Sequence, residues 1–344
     1  MNFGAITIKD IAKELGISAS AVSKALKDSH EISEKTKKLV LECAQKHNYQ
    51  PNPMARSLKQ GKSKSLGVVI PTIDNNFFSQ VIDGIESVAY SKGYNIIMTQ
   101  THELYDLELS NVEHLAMRSI DGLLISLSIE TENIDHLKRL HNMGLPIVFF
   151  DRVSNEIETH KVIADNYKGA YDATTHLIRS GYRKIAHITS AVNISITAER
   201  LKGYCAALEE NGLPVNDKYI KYCPQGGKAI TEIETALTDL LNMQDKPDAI
   251  FTATDRTTTT IIGLLHKLKI KIPQDIALLG FTNTQMAYVL NPSLSQVYQP
   301  GFEMGKKATG MLINLIESRK PATEFETVVF PTQLFTREST KSLL

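Results

Sequence analysis

From Ser65 to Phe281 the chain alternates short β-branched runs with amphipathic stretches, and this alternation constrains the fold more than any other feature. The first runs are SLGVVIP, NIIMTQ, DGLLIS and PIVFFD, separated by stretches such as Val81 to Lys92 and Leu107 to Met117. Runs this short read as buried strands. The amphipathic segments between them are long enough to be helical crossovers, which make the strands parallel. A second series follows: KVIAD, KIAHIT, YIKYC, DAIFTA and IALLGF, with Ala198 to Asn211 the clearest intervening helix. The pattern predicts two similar α/β lobes, and 344 residues leave room for a further small domain.

Composition excludes several classes. Apolar residues make up 42% and charged residues 22%, with 12 Pro and 19 Gly scattered, which rules out fibrous and low-complexity chains. No apolar run approaches the roughly 18 residues of a membrane helix, so no membrane partner is expected. Lys9, Asp10, Lys13 and Glu14 stand where a signal peptide would place its apolar segment, so a cytoplasmic location is expected. Cys43, Cys205 and Cys223 are odd in number and far apart, without CxxC or Cys/His spacing. They are expected to be small buried hydrophobes, with no metal ligand and no cofactor.

The zero net charge hides an asymmetry. Residues 1 to 65 carry 12 Lys/Arg against 6 Asp/Glu, leaving 26 against 32 in the remainder. A small basic head precedes an acidic body, a distribution suited to a polyanion-binding module. Within the head, Thr7-Ile8-Lys9-Asp10 has capping-box spacing, and Ile8, Ile11, Ala12 and Leu15 form one apolar stripe before Gly16. Ser18 is a second N-cap, for a helix over Ala19 to Leu26. A third helix begins near Ser33; it is expected to bury Leu39, Val40, Cys43 and Ala44 and to expose Lys35, Lys37, Lys38 and Lys46. Two short helices across a glycine turn, the second opening with small polar residues, make a helix-turn-helix whose second helix can enter a major groove.

The stretch TIKDIAKELGISASAVSKAL, followed by ISEKTKKLV and NYQPNPMARSLKQGKSKSLGVVIP, resembles the N-terminal signature of the LacI/GalR family of bacterial transcription regulators. Further matching segments are VFFDR at 148 to 152, VIADN at 162 to 166, ERLKGYCAAL at 199 to 208, FTATD at 251 to 255, LLGF at 278 to 281 and QPGFEMG at 299 to 305. The resemblance implies that Ala19, Ser20 and Lys24 face base edges and that Ser18, Ser23 and Thr36 hold phosphates, with Thr7 at the same surface. Many relatives have Arg and Asn where this chain has Lys24 and Lys27, and a lysine donates as a point charge without the guanidinium fork.

Asn52-Pro53 reads as N-cap and first helical residue of a segment, Pro53 to Lys59, only about two turns long. So short a helix is marginal in water and should form only with a partner. The resemblance makes it a hinge helix that folds in the minor groove of operator DNA, with Leu58 as a wedge assisted by Ala55, and Arg56 and Lys59 along the phosphates.

In open α/β sheets a ligand sits beyond the carboxyl ends of the strands. Here those ends carry Asp74, Asn75 and Phe77, then Asp151 and Arg152, Asp165 and Asn166, Asp255, and Thr282 and Asn283. Carboxylates, amides and an arginine suit a polyhydroxylated ligand. Helix capping accounts for Asn166 and some of the others. The resemblance implies a periplasmic-sugar-binding-protein fold, with effector contacts at Asn75, Phe77, Asp151, Arg200, Asp255 and Gln299, and with Thr282 in the loop where many relatives read GFDD. The chain has no Trp, so stacking falls to Phe77 or a Tyr.

The chain contains no GxGxxG, GxxxxGK, HExxH or GxSxG, and His102-Glu103 lacks the second histidine, so no catalytic residue is expected. The expected architecture is an α/β protein. A helix-turn-helix head occupies residues 1–51, a hinge helix and linker 52–64, and two doubly wound lobes of periplasmic-binding-protein type 65–344. The N-lobe is expected at about 65–163 plus 294–325 and the C-lobe at about 164–293 plus 326–344. The expected function is a ligand-responsive repressor that binds a pseudo-palindromic DNA operator as a homodimer and is switched by a sugar, sugar phosphate or similar polar metabolite. A cytoplasmic solute-binding protein whose head serves another partner is the alternative.

Overall fold

A computed structural model describes residues 6–49 and 63–341, and the chain divides into two compact units between Ser63 and Lys64. In the first unit, α1 (Ile8–Glu14), α2 (Ala19–Ala25) and α3 (Glu34–Lys46) enclose a small core of Ile11, Ala12, Val22, Ala25, Val40, Cys43 and Ala44. The helix starts are set by polar side chains. The Asp10 carboxylate accepts from the Thr7 backbone N–H at 2.9 Å and from its hydroxyl at 2.7 Å, while Ser18 and Ser33 accept the N–H of Ala21 and Thr36. Gly16 ends the first helix with φ +64°, a conformation that costs a residue with a Cβ.

The third helix departs from expectation at two positions. Leu39 is exposed, whereas Lys37 is buried and its ammonium lies 2.7 Å from both Asp28 and Glu34. Lys37 shares the stripe of Val40 and Ala44 at i, i+3 and i+7, so its methylene stem packs while its charge reaches the rim; Leu39 falls outside that stripe.

The second unit holds two six-stranded sheets. The first has the order β11-β5-β4-β3-β1-β2 and is parallel throughout: β1 (Ser65–Ile70), β2 (Asn95–Gln100), β3 (Gly122–Ile125), β4 (Ile147–Phe150), β5 (Lys161–Ala164) and β11 (Thr327–Phe330). The second has the order β12-β10-β9-β8-β6-β7, built from β6 (Ile185–Thr189), β7 (Ile220–Tyr222), β8 (Ala249–Thr252), β9 (Ala277–Phe281), β10 (Ser295–Tyr298) and β12 (Gln333–Phe335); only β12 pairs antiparallel. Alternate residues of one strand serve opposite faces: Leu66, Val68 and Ile70 enter one core cluster and Val69 another. Among the described residues no helix is long and apolar enough to cross a membrane.

Strand membership departs from the expected series once and from the expected boundaries twice. KVIA, expected in the second series, is β5 of the first sheet, because Val162 and Ala164 pair with Val328 and Phe330 and enter that lobe's core. Strand β10 lies within the expected N-lobe segment 294–325 yet pairs with β9 of the second sheet, and β11 lies within the expected C-lobe segment 326–344 yet pairs with β5 of the first. The chain therefore changes lobes after Ala164, after Tyr298 and after Phe330.

After the second crossing, α11 (Gly301–Glu317) packs against α4 (Asn76–Ser91) in the N-lobe. The two backbones approach so closely that a Cβ on Gly305 would stand 2.1 Å from the Val81 carbonyl oxygen. We predict that Gly305→Ala costs about 2–3 kcal/mol in urea unfolding. Gly310→Ala, on the same helix with no atom within 4 Å of the added carbon, gains up to about 1 kcal/mol. Equal effects of the two substitutions would contradict the close-packing account.

Candidate nucleic-acid interface and ligand cleft

At about 100° per residue, Ala19, Ser20, Ser23 and Lys24 fall on one face of α2, opposite Val22 and Ala25, which are buried, and Lys27 follows in the turn after the helix. Ser18, Ser20 and Lys24 are exposed, and Ala19 and Ser23 half-buried. Thr7 precedes α1 and is exposed, and Thr36 lies in the first turn of α3, its hydroxyl 2.9 Å from that of Ser33. The expected contact residues of the head thus sit at helix starts or along α2. One neighbour was not foreseen: Lys24 forms an ion pair with Glu31 across the loop that follows α2. A pair so exposed is worth at most about 1 kcal/mol, so Lys24 can exchange it for another anion. The expected hinge helix over Pro53–Lys59, with Asn52, Ala55, Arg56, Leu58 and Lys59, lies outside the described residues.

In the second unit, a cavity of about 250 Å³ opens between the lobes at the carboxyl ends of their strands. Hydroxyls of Thr72, Ser190, Thr254 and Thr259, amides of Asn75 and Gln225, carboxylates of Asp74, Glu103 and Asp255, two guanidinium groups and the Phe78 ring line it. A roomier hollow of about 390 Å³ in the C-lobe, lined by residues such as Ile262, Ile270, Ile272 and Leu290, holds none of the expected ligand residues.

Two of the seven expected ligand residues, Asn75 and Asp255, line the cavity. Asn75 caps α4, accepting the Phe77 N–H at 2.8 Å, which leaves its amide NH₂ to donate. Asp255 opens α10 (Asp255–Lys267) and accepts a hydrogen bond from the Thr282 hydroxyl. Burial pushes its carboxyl above the ordinary value, against the opposing effects of Thr282 and Arg256.

Three others form a polar layer that does not line the cavity. Arg200, on α8 (Ser195–Glu210), is 3% exposed; its Nε donates to Asn166 at 2.8 Å and one Nη to Gln299 at 3.2 Å, the other Nη donates to the Ala253 carbonyl, and its guanidinium lies 3.6 Å above the Phe281 ring. Burial pushes the guanidinium down to about 9, still charged at neutral pH. Asp151, buried at the end of β4 with φ +59°, has its carboxyl raised by burial against the charges of Arg152 and Arg200. Gln299 is held in turn by Asn283, whose amide also donates to Gln80 of the other lobe at 2.7 Å. Asn166, expected as a cap, is a buried strut for Arg200, and Asp165 supplies the cap, accepting the Lys168 N–H at 2.9 Å.

The aromatic at the cavity is Phe78, not Phe77. Both are buried, but Phe77 packs at Gly301 while Phe78 stands edge-on to Phe150 and reaches the lining. One helical step moves a side chain by about 100°, and the strand-end rule has no such resolution. Glu103 was missed altogether. It follows β2 on two consecutive residues of positive φ, His102 and Glu103, and grips Arg152 through two hydrogen bonds of 2.6 and 3.0 Å. Burial alone would raise its carboxyl, but the charge and hydrogen bonds of Arg152 outweigh it and hold it below the ordinary value. Nothing in the local sequence marks that pairing over 49 residues.

At the mouth of the cleft the lobes touch. Ile129 of the N-lobe clusters with Ile194 and Ile196 of the C-lobe, Asn193 donates to the Ile129 carbonyl at 2.9 Å, and Lys228 donates to the His102 carbonyl at 3.2 Å.

Two family profiles match the chain. "Bacterial regulatory proteins, lacI family" covers residues 7–52, and "Periplasmic binding proteins and sugar binding domain of LacI family" covers 63–338. Catabolite control protein A of Priestia megaterium is 31% identical over 98% of this chain and 99% of its own length. The HTH-type transcriptional repressor PurR of Vibrio vulnificus is 30% identical over 91% of this chain and 93% of its own. These relatives are named as a repressor and a control protein, not as enzymes. Among solved structures, a lac repressor dimer bound to operator and the anti-inducer ONPF superposes with a TM-score of 0.83 at 20% identity, over 98% of this chain and 100% of that one. The complex of the transcriptional regulator CelR with cellobiose gives 0.70 at 24%, over 97% and 99%. At these identities the two structures speak to fold alone.

Replacing both Ile194 and Ile196 by Ala removes the apolar contact at the mouth, worth about 1.5–3 kcal/mol for each fully buried side chain. The expected result is a larger radius of gyration in small-angle scattering; an unchanged radius would show that the isoleucine contact does not hold the lobes together.

Proposed function

Since the chain belongs to the lacI family of bacterial regulatory proteins, we propose that it is a ligand-responsive transcriptional repressor that reads a pseudo-palindromic operator as a homodimer in the cytoplasm. The observation that carries this reading is the open face of α2: Ser20, Ser23 and Lys24 stand away from the head's core, Ala19 packs partly against it at the helix start, and the small side chains of Ala19, Ser20 and Ser23 let the helix settle into a major groove. Ala19, Ser20 and Lys24 take the base edges, and Ser18, Ser23, Thr36 and Thr7 the phosphates. Residues 1–51 form the reading head. Segment 52–64 is the hinge, in which Leu58 wedges the minor groove beside Ala55 while Asn52, Arg56 and Lys59 hold it to the backbone. A single recognition helix covers too few base pairs for specificity, so two heads related by a twofold axis are needed.

The effector is a small polyhydroxylated molecule, a sugar, sugar phosphate or similar polar metabolite, bound in the interlobe cavity. Its hydroxyls meet Asn75 and Asp255, and Phe78 offers the apolar face for the ring. Arg200, Gln299, Thr282 and Asp151 act beneath the ligand by holding Asp255 and the crossing segments in place, and Phe77 packs the N-lobe core. Ligand that prefers one lobe arrangement biases the spacing of the two hinge segments in the dimer, and so their folding on DNA.

Selection from a random DNA pool at physiological salt, followed by titration with a panel of sugars and sugar phosphates, tests the reading. An enriched palindrome whose affinity shifts with one of these compounds is expected, and no enrichment would refute it. Asp255→Asn should keep operator affinity and weaken the ligand response by at least about tenfold, since a carboxylate bond to a hydroxyl is lost. Glu31→Gln frees Lys24 and should raise DNA affinity up to about fivefold; unchanged affinity and salt dependence would exclude Lys24 from the interface.

A further inference from the structure

Cys43 lies on the last turn of α3 and His47, four residues on, is its C-cap, so their side chains meet at the end of the helix. Glu14, the last residue of α1, reaches that face from the neighbouring helix: one carboxylate oxygen lies 2.6 Å from His47 Nε2 and the other 3.0 Å from Lys46 Nζ. Among the described residues no other trio of Cys, His, Asp and Glu brings its donor atoms within 4.8 Å of one another. Cys43 is a buried member of the head's core, while the imidazole is only a quarter exposed.

Lys46 and His47 already complete an ion pair with Glu14, and the Cys43 thiol beside the same carboxylate is not needed for it. The set of thiol, imidazole and carboxylate has a different use. Soft sulfur with imidazole selects zinc-like metals over magnesium or calcium, which prefer oxygen alone. Tetrahedral coordination at ordinary zinc distances places donors about 3.3–3.8 Å apart. The Glu14–His47 separation of 2.6 Å is below that range and every pair of donors lies within 4.8 Å, so modest shifts of the three side chains would bring them to coordination distance. Lys46, the most exposed member of the cluster, swings into solvent and leaves a fourth position for water.

We propose that Glu14, Cys43 and His47 form a binding site for a divalent transition metal of the zinc class, bridging α1 and α3 in the DNA-reading head. On binding, Cys43 releases its thiol proton to solvent as the metal–sulfur bond forms, His47 moves the proton it shares with Glu14 to its other ring nitrogen or to solvent so that the free nitrogen can ligate, and Glu14 exchanges Lys46 and His47 for the metal; no oxidant or reductant is required. This departs from the sequence-based expectation of no metal ligand. In a linear sequence Cys-x3-His is two donors, and the third comes from a helix 29 residues earlier.

Cobalt titration of the full-length protein in thiol-free buffer tests the site, because a cobalt–thiolate bond has its own charge-transfer absorption in the near ultraviolet. One cobalt per chain with that band is expected, displaced by zinc. Cys43→Ser should remove the band, Cys205→Ser should leave it, and His47→Gln and Glu14→Gln should each weaken cobalt binding by at least about tenfold. Because Cys43 is buried, a Cys43→Ser protein that fails to fold hands the decision to His47→Gln and Glu14→Gln, whose positions are partly exposed. No cobalt uptake by the wild type, a band retained in Cys43→Ser, or wild-type affinity in both partly exposed variants would overturn the proposal.

Discussion

A buried guanidinium must find acceptors for its donors, and Arg200 organises the middle of the body by that requirement. Its partners are Asn166, just after the first lobe crossing, Gln299, at the second, and the Ala253 carbonyl at the end of β8, with Phe281 beneath the plane. Removing the charge would leave several buried polar groups without partners at once. The arginine is therefore less a free hand for ligand than the fixture against which two of the three crossing segments are registered. Asn283 extends the fixture by pairing with the Gln299 backbone and reaching Gln80 in the opposite lobe.

The lobes were legible because strand and helix periods are local. Short β-branched runs between amphipathic stretches leave few folds open, and the strand-end rule located Asn75, Asp255 and Arg152 at the cavity. Membership of a sheet is a different matter, since it is decided by pairing between distant segments. KVIA and TVVF look like any other run, and only their mutual register places both in the first lobe. Glu103 escaped for the same reason, its role being defined by an arginine 49 residues away and by two residues of positive φ that carry no glycine to announce them.

In the head, caps and turns were readable to the residue because they are chemistry between neighbours: Ser18 and Ser33 accept from N–H groups three residues on, and Gly16 takes the positive φ. The exchange of Lys37 and Leu39 shows where such reading stops. Charge marks a side chain as surface, yet a lysine has four methylenes to bury, and Asp28 and Glu34 wait at the rim for its ammonium. Helical phase, which puts Lys37 in line with Val40 and Ala44, outweighed the hydrophobicity of Leu39.

The cleft is held from two sides by contacts of different kinds. Near the crossings the contacts are directional hydrogen bonds among buried groups, which tolerate rotation only where their geometry is kept. At the mouth they are three isoleucines with one amide and one lysine, an apolar touch that is lost smoothly once the lobes part. Burial of side chains this size contributes a few kcal/mol, which is the scale of differential affinity a ligand needs to move a two-state equilibrium from one side to the other. A molecule bound to Asn75 on one lobe and Asp255 on the other adds its bonds only when the lobes are together, so it acts on the same coordinate as the isoleucine contact. A ligand bridging the two lobes and the isoleucine contact would therefore favour the same arrangement of the lobes, and their effects would add.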